Sequence, residues 1–168
     1  MARITSYPTV TPAAGDLVLL SDVSGTNNPT KTATASSIAE LAEFSFEKTS
    51  LTTAQIGQLN STPITLVAAP GAGKVLVPVS VVIRYNYGTA GMTGNRTLDI
   101  MQKTTSIYQW SNVLDDTSTS IRLASDVSND AVLTENQALK IQVPTGNPTV
   151  GASTSTVDVY VYYRTLTL

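Results

Sequence analysis

The sequence predicts an all-β fold: a jelly-roll-like β-sandwich preceded by an extended N-terminal arm with a small β-hairpin and a short helix. Three observations carry this. Thr and Ser supply 26 and 17 of the 168 residues, and charged residues only 13%, about half the usual share. Such a chain suits strands and polar loops and does not suit a charge-laced helical bundle. Residues 74–87 and 155–166 alternate side chains at period two. Shorter strand candidates recur between polar loops, at a spacing that fits two sheets of seven or eight strands. The length allows one domain, or one domain plus an arm. A compact chain of this size would bury roughly 70% of its extended-chain surface, enough for one core.

Taken in order, residues 1–15 look extended. Pro8 and Pro12 fix φ and bias their predecessors away from helix. Thr5, Thr9, Val10 and Thr11 favour extended geometry. Nothing here can bury itself, so the segment is either a free tail or an arm held by a partner. Tyr7 and Pro8 are its expected contact residues. A compact unit follows. Residues 16–20 read as a strand, 24–29 as a turn, 31–35 as a return strand. Ser37 as N-cap with Glu40 three residues on is a capping box that starts a helix. Leu17 and Leu19 on the strand, and Ile38 and Leu41 on the helix, are its expected packing residues. The unit is too small to stand alone and must lean on something. Residues 1–50 hold three basic and five acidic side chains, residues 51–168 seven of each. The expected division is therefore an N-terminal arm and docking unit at 1–50 and a sandwich at 51–168.

In the sandwich, residues 53–59 suggest a helical turn capped by Thr52 or Thr53. Residues 62–68 form a strand candidate and 70–73 a turn. Along 74–87, Val75, Val77, Val79, Val81, Ile83, Tyr85 and Tyr87 fall on one face, and Pro78 marks an edge or a bulge. Strand candidates follow at 97–103, 106–110, 120–124 and 138–143. In 155–166, Val157, Val159, Val161 and Tyr163 point one way. Thr156, Asp158, Tyr160, Tyr162 and Arg164 point the other.

The missing residue types exclude much chemistry. With no Cys and no His there is no thiolate nucleophile, disulfide, zinc finger, haem-ligating histidine or Ser-His-Asp triad. A net charge of −2 gives no footprint for nucleic acid. No apolar run approaches ~20 residues, so membrane insertion is not expected. The first fifteen residues lack an apolar signal core, so a secretory signal is not expected. Residues 70–75 superficially resemble a phosphate-binding loop. However, Ala68 stands where the first Gly belongs, and Val75 where a hydroxyl belongs. Asp115 and Asp116 lack the spacing of a calcium loop. Asp99 and Asp158 could support glycoside hydrolysis only if they faced each other. No catalytic residue, cofactor or metal is expected, and the chain is not expected to be an enzyme. Tyr108 and Trp110 share one strand face beside a polar loop. They read either as core or as a stacking platform for a glycan. Tyr160 and Tyr162, opposite the valines of the last strand, suit a subunit interface or an ordinary outer face.

Residues 15–25, 30–34 and 36–41 (Gly15-Asp16-Leu17-Val18-Leu19-Leu20, Thr30-Lys31-Thr32-Ala33-Thr34, Ser36-Ser37-Ile38-Ala39-Glu40-Leu41) together resemble the N-terminal segment of many tailed-phage fibre and head-decoration proteins. Residues 64–74, 136–141 and 158–164 are similar to strands of small phage jelly rolls. The resemblance implies a structural protein on the virion surface, made in the host cytoplasm. Its docking segment would bind the major capsid protein or another virion protein, as a decoration, cement or short head-fibre protein. It also implies a homo-oligomer, a trimer by family habit. No shaft or repeat follows the docking segment, which favours a short protein close to the shell. The alternative is a tail-associated protein that binds a receptor or host surface glycan through Tyr108 and Trp110.

Overall fold

The computed structural model describes residues 11, 13, 15–21, 30–35, 38, 44–126 and 132–168. The chain divides into two compact units, Met1–Glu43 and Phe44–Leu168. Two expected contact residues of the arm, Tyr7 and Pro8, lie outside the described residues. So do Leu41 and the capping pair Ser37 and Glu40.

In the first unit, β1 (Leu17–Ser21) pairs antiparallel with β2 (Thr30–Thr34), Leu17 opposite Thr34 and Ser21 opposite Thr30. Asp16 fastens the open end of this hairpin. Its carboxylate accepts from the Ala13 N–H at 2.7 Å, and its carbonyl accepts from the Ala35 N–H at 2.8 Å. An Asx side chain that bonds nearby backbone in this way fixes a turn without needing a core. Ala35 and Ile38 are helical.

The second unit is a β-sandwich. One sheet has the order β10-β8-β7-β11-β4, the other β3-β13-β5-β9. The first comprises β4 (Ile64–Val67), β7 (Leu98–Gln102), β8 (Thr105–Trp110), β10 (Ser125–Asp126) and β11 (Leu139–Gln142). The second comprises β3 (Ser45–Leu51), β5 (Lys74–Asn86), β9 (Ser120–Leu123) and β13 (Thr156–Thr167). A two-stranded piece pairs β6 (Thr93–Gly94) with β12 (Pro148–Thr149). The inward faces form one core, with Leu98, Ile100, Trp110, Leu139 and Ile141 from one sheet and Val81, Ile83, Tyr85, Val157 and Val159 from the other. The short helix α1 (Thr53–Ile56) closes one end. The Thr52 hydroxyl accepts from the Gln55 N–H, the Gln55 side chain accepts from the Thr52 N–H, and Ile56 enters the core. This is the capping box at work on a helix only one turn long.

Two features depart from the sequence reading. The first is β3, which straddles the division expected at residue 50. Ser45–Leu51 carries adjacent Glu47 and Lys48, and Leu51 alone is buried, so it shows no apolar alternation. Its place comes from backbone pairing along β13, from Val157 opposite Leu51 to Tyr163 opposite Ser45. As an edge strand it needs no second buried neighbour. The second is the phase of β5. Val81, Ile83 and Tyr85 face the core as expected, but nearer the start Leu76 and Pro78 are buried and Val79 is exposed. Pro78 pairs with Tyr163 and Ser80 with Tyr162, leaving Val79 as the extra residue of a bulge. Proline cannot donate to a ladder, and a bulge is where a strand tolerates one. The bulge is also tied across the sandwich. The Tyr108 hydroxyl donates to the Pro78 carbonyl at 3.3 Å, and the Gln102 amide to the Leu76 carbonyl at 3.2 Å.

Trp110→Ala should therefore lower unfolding free energy by roughly 3–5 kcal/mol in urea titration. Ile121→Ala, on an exposed strand position, should stay within about 0.5 kcal/mol of wild type.

Candidate interaction surfaces

Among the described residues, exposed apolar side chains gather on the hairpin and on one sheet face, while Phe44, Val79, Val132, Leu166 and Leu168 are exposed as well. The first is the hairpin. Leu17 is 68% and Leu19 73% exposed, and Val18 on the opposite side is also exposed. Alternation at period two puts Leu17 and Leu19 on one side of β1. Ile38 is half-buried. A two-stranded hairpin has no interior of its own, so these leucines have nothing in their own strand pair to pack into.

The second surface is the outer face of the four-stranded sheet, built by register. Across β3, β13 and β5, Phe46, Tyr162 and Ser80 stand opposite one another; Lys48, Tyr160 and Val82 form the next row, and Leu123 of β9 extends it. Ser50, Asp158, Arg84 and Ile121 form a third row. The Phe46 ring lies 5.0 Å from that of Tyr162 and 6.3 Å from that of Tyr160, and the Lys48 ammonium sits 5.4 Å over Tyr160. Val82, Arg84, Ile121, Tyr160 and Tyr162 line a shallow depression of about 300 Å³. Tyr160 and Tyr162, singled out from sequence, thus belong to a larger set with Phe46, Ile121 and Leu123. Period two shows that Ile121 and Leu123 share a side, but not which side. Arg122 decides it: its guanidinium pairs with Asp116, placing the two apolar residues outward.

Asp158 is the anion of this face. The Ser50 hydroxyl donates to it at 2.5 Å, the Asn86 amide at 3.3 Å, and the Lys48 ammonium stands 3.8 Å away. The Ser50 hydrogen bond first, then that of Asn86 and the charges of Lys48 and Arg84, hold its carboxyl below the usual 3.8 against the opposing effect of partial burial.

The other candidates serve the scaffold. Trp110 is 4% exposed and belongs to the core, so it offers no platform at the surface. Tyr108 is half-buried with its hydroxyl turned to the Pro78 carbonyl. Asp115 and Asp116 are each engaged by an arginine, Arg96 and Arg122. Asp99 lies on β7 and Asp158 on β13, in different sheets. Each alternates with core residues and so points away from the other. Asp99 is buried and accepts from the Gln109 amide at 2.9 Å. At 70–74, the N–H groups of Gly71 and Gly73 are taken by Asn136 and Glu135 side chains. Both glycines have positive φ, so the segment is a strand-to-strand turn. Among the described residues no three Asp or Glu side chains gather as a metal site would require.

No family model matches the chain, and no curated protein matches it. Among solved structures it is similar to a chain of the cyanophage Pam1 capsid asymmetric unit, with 16% identity and a TM-score of 0.47, covering 97% of this chain and 96% of that one.

Asp158→Asn tests the electrostatics of the sheet face. A carboxyl held below its unfolded value stabilises the fold above that value, and the contribution disappears as pH falls through the folded one. The urea midpoint of Asp158→Asn should lie below wild type at pH 7. The gap should close as both are titrated from about pH 5 toward pH 2.

Proposed function

We propose that this chain is a non-enzymatic structural protein of a phage virion. It would be fixed to the particle by its N-terminal unit, as a capsid decoration, cement or short head-fibre protein. The observation that carries the reading is the hairpin. Residues 15–41 resemble the docking segment of phage fibre and decoration proteins, and the strands expected from that resemblance are β1 and β2. They display Leu17 and Leu19 to solvent, where an attachment device needs its apolar contacts.

The mechanism is attachment through backbone pairing and small apolar contacts. Each contact is weak alone and is multiplied when several copies act together. The partner is the major capsid protein or another virion protein. The sandwich supplies a body without nucleophiles of the Cys or His type, whose work is contact.

The test is particle attachment of the full chain carrying Leu17→Asp and Leu19→Asp. Attachment to purified particles should fall at least tenfold while the urea midpoint of the sandwich stays unchanged. Unchanged attachment would reject the hairpin as the docking element. Copy number on particles distinguishes a shell protein, present in many copies, from a tail protein present in a few.

A further inference from the structure

The first half of β5 has an open side. Residues 82–85 pair with β9, and among the described residues no strand pairs with residues 74–78 on that side. The Leu168 N–H donates to the Gly73 carbonyl at 2.8 Å, so Gly73, Val75 and Val77 turn their backbone groups toward β13. Alternation turns those of Lys74, Leu76 and Pro78 to the open side. An uncovered valine-rich run of this kind would be a template for a strand from another chain. Yet each of the outward carbonyls is occupied. That of Lys74 accepts from the Asn136 N–H at 2.8 Å, that of Leu76 from the Gln102 amide at 3.2 Å, and that of Pro78 from the Tyr108 hydroxyl at 3.3 Å. Pro78 has no N–H to offer. We infer that residues 133–136 form a strap, latched by Gln102, that closes this edge of β5 against a strand from a second copy of the chain.

Gln102 carries the argument. It alternates with the core residues Leu98 and Ile100 on β7 and is 1% exposed. A side-chain amide in such a place costs free energy unless both of its ends are bonded. Both are. Its oxygen accepts from the Thr134 N–H at 2.8 Å, and its nitrogen donates to the Leu76 carbonyl at 3.2 Å. A carboxamide carries the donor and the acceptor of one peptide group. Gln102 therefore stands between strap and strand as one rung of the ladder that β9 does not supply. A leucine there would fill the space and leave two backbone groups unpaired.

The strap is tied along its length. Leu133 packs against the core. The Glu135 carboxylate accepts from the Gly73 N–H, and the Asn136 carboxamide from the Gly71 N–H at 3.0 Å. Asn136 itself has a φ of 50°, so the backbone turns there and residues 133–136 form no strand. An irregular segment satisfies the edge without presenting a regular ladder of its own to the next chain.

Amide hydrogen exchange of the full chain tests the strap, each variant being read at a bond it does not itself remove. Gln102→Ala leaves the Asn136–Lys74 bond in place, and the Asn136 amide should exchange at least tenfold faster. Asn136→Gly keeps a backbone that accepts positive φ and loses the tie to Gly71. The Thr134 amide should then exchange at least tenfold faster. The Ala124 amide, bonded to Val81 beyond the bulge, should keep its wild-type rate in both. Wild-type rates at Asn136 and Thr134, or equal acceleration at Ala124, overturn the strap. Sedimentation velocity tests the closure. Gln102→Ala combined with Asn136→Gly should form species heavier than those of wild type at the same concentration. Ile56→Val, which loosens the core at α1 and leaves the strap alone, should not. A double variant that keeps the wild-type mass overturns the closure, and so does equal growth in Ile56→Val. Both measurements use the isolated chain, so neither depends on attachment to particles.

Discussion

The ladder between β5 and β13 is the constraint on which the sandwich depends. Twelve residues of β13 pair with β5, from Thr156 opposite Asn86 to Thr167 opposite Lys74. This register places Val157, Val159 and Val161 over the core beside Val81, Ile83 and Tyr85. A slip by one residue would send every one of them to solvent. The bulge at Val79 guards against that slip, because it lets the strand carry Pro78 and still resume its phase. Pro78 also lies beyond the reach of β9, which pairs only with Val82 to Tyr85. Tyr108 and Gln102 hold the bulged backbone from the opposite sheet. The same ladder fixes the outer face: once the valines point inward, Tyr160 and Tyr162 must point outward.

The strands with strong alternation were legible in the sequence, and so was the proline irregularity. β13 has the expected inward and outward sets. Pro78 was legible as an edge or bulge, and it is a bulge. What escaped was information that resides in pairing. Ser45–Leu51 is polar and charged, and nothing local distinguishes it from a linker. It becomes a strand because β13 has an open side. The phase change at Val79 was hidden because Val75, Val77 and Val79 continue the valine rhythm that a bulge interrupts. The aromatic face was half legible. Tyr160 and Tyr162 were visible on their own strand, but Phe46, Ile121 and Leu123 reach them only through the sheet order. The Trp110 ambiguity between core and platform is settled by register: Trp110 stands opposite Leu98, a core position.

The abundance of Ser and Thr has a structural account at one end of the sandwich. Thr89 donates to the Ala152 carbonyl at 2.6 Å, Ser153 to Ala90 at 2.7 Å and Thr53 to Ser155 at 2.8 Å. Asn147 accepts from the Asn60 and Ser61 N–H groups. Loops usually lie at the surface because their backbone groups need water. Here short hydroxyl side chains supply those partners from within the protein, so the connections pack closely. Gly88 shows how closely: a Cβ there would stand 2.2 Å from the Thr154 hydroxyl and 2.7 Å from its backbone. A hydroxyl loses little rotamer freedom when it binds, whereas Lys or Glu would lose much. The low charge and the high hydroxyl content are thus one property.

That property bears on where contact can occur. A loop whose polar groups are satisfied internally offers a partner few free donors or acceptors, and an aliphatic sheet face or an uncovered hairpin offers apolar area. Phe44 enters the sandwich beside the Ser45–Tyr163 pair, and the hydroxyl-bonded loops gather past Leu51 and Thr156 at the other end of the same strands. The sandwich therefore has three chemically distinct regions: an end where the preceding unit joins, an end of self-satisfied loops, and an apolar flank. The hydroxyl bonds of the second tie the connections of the long strands to one another.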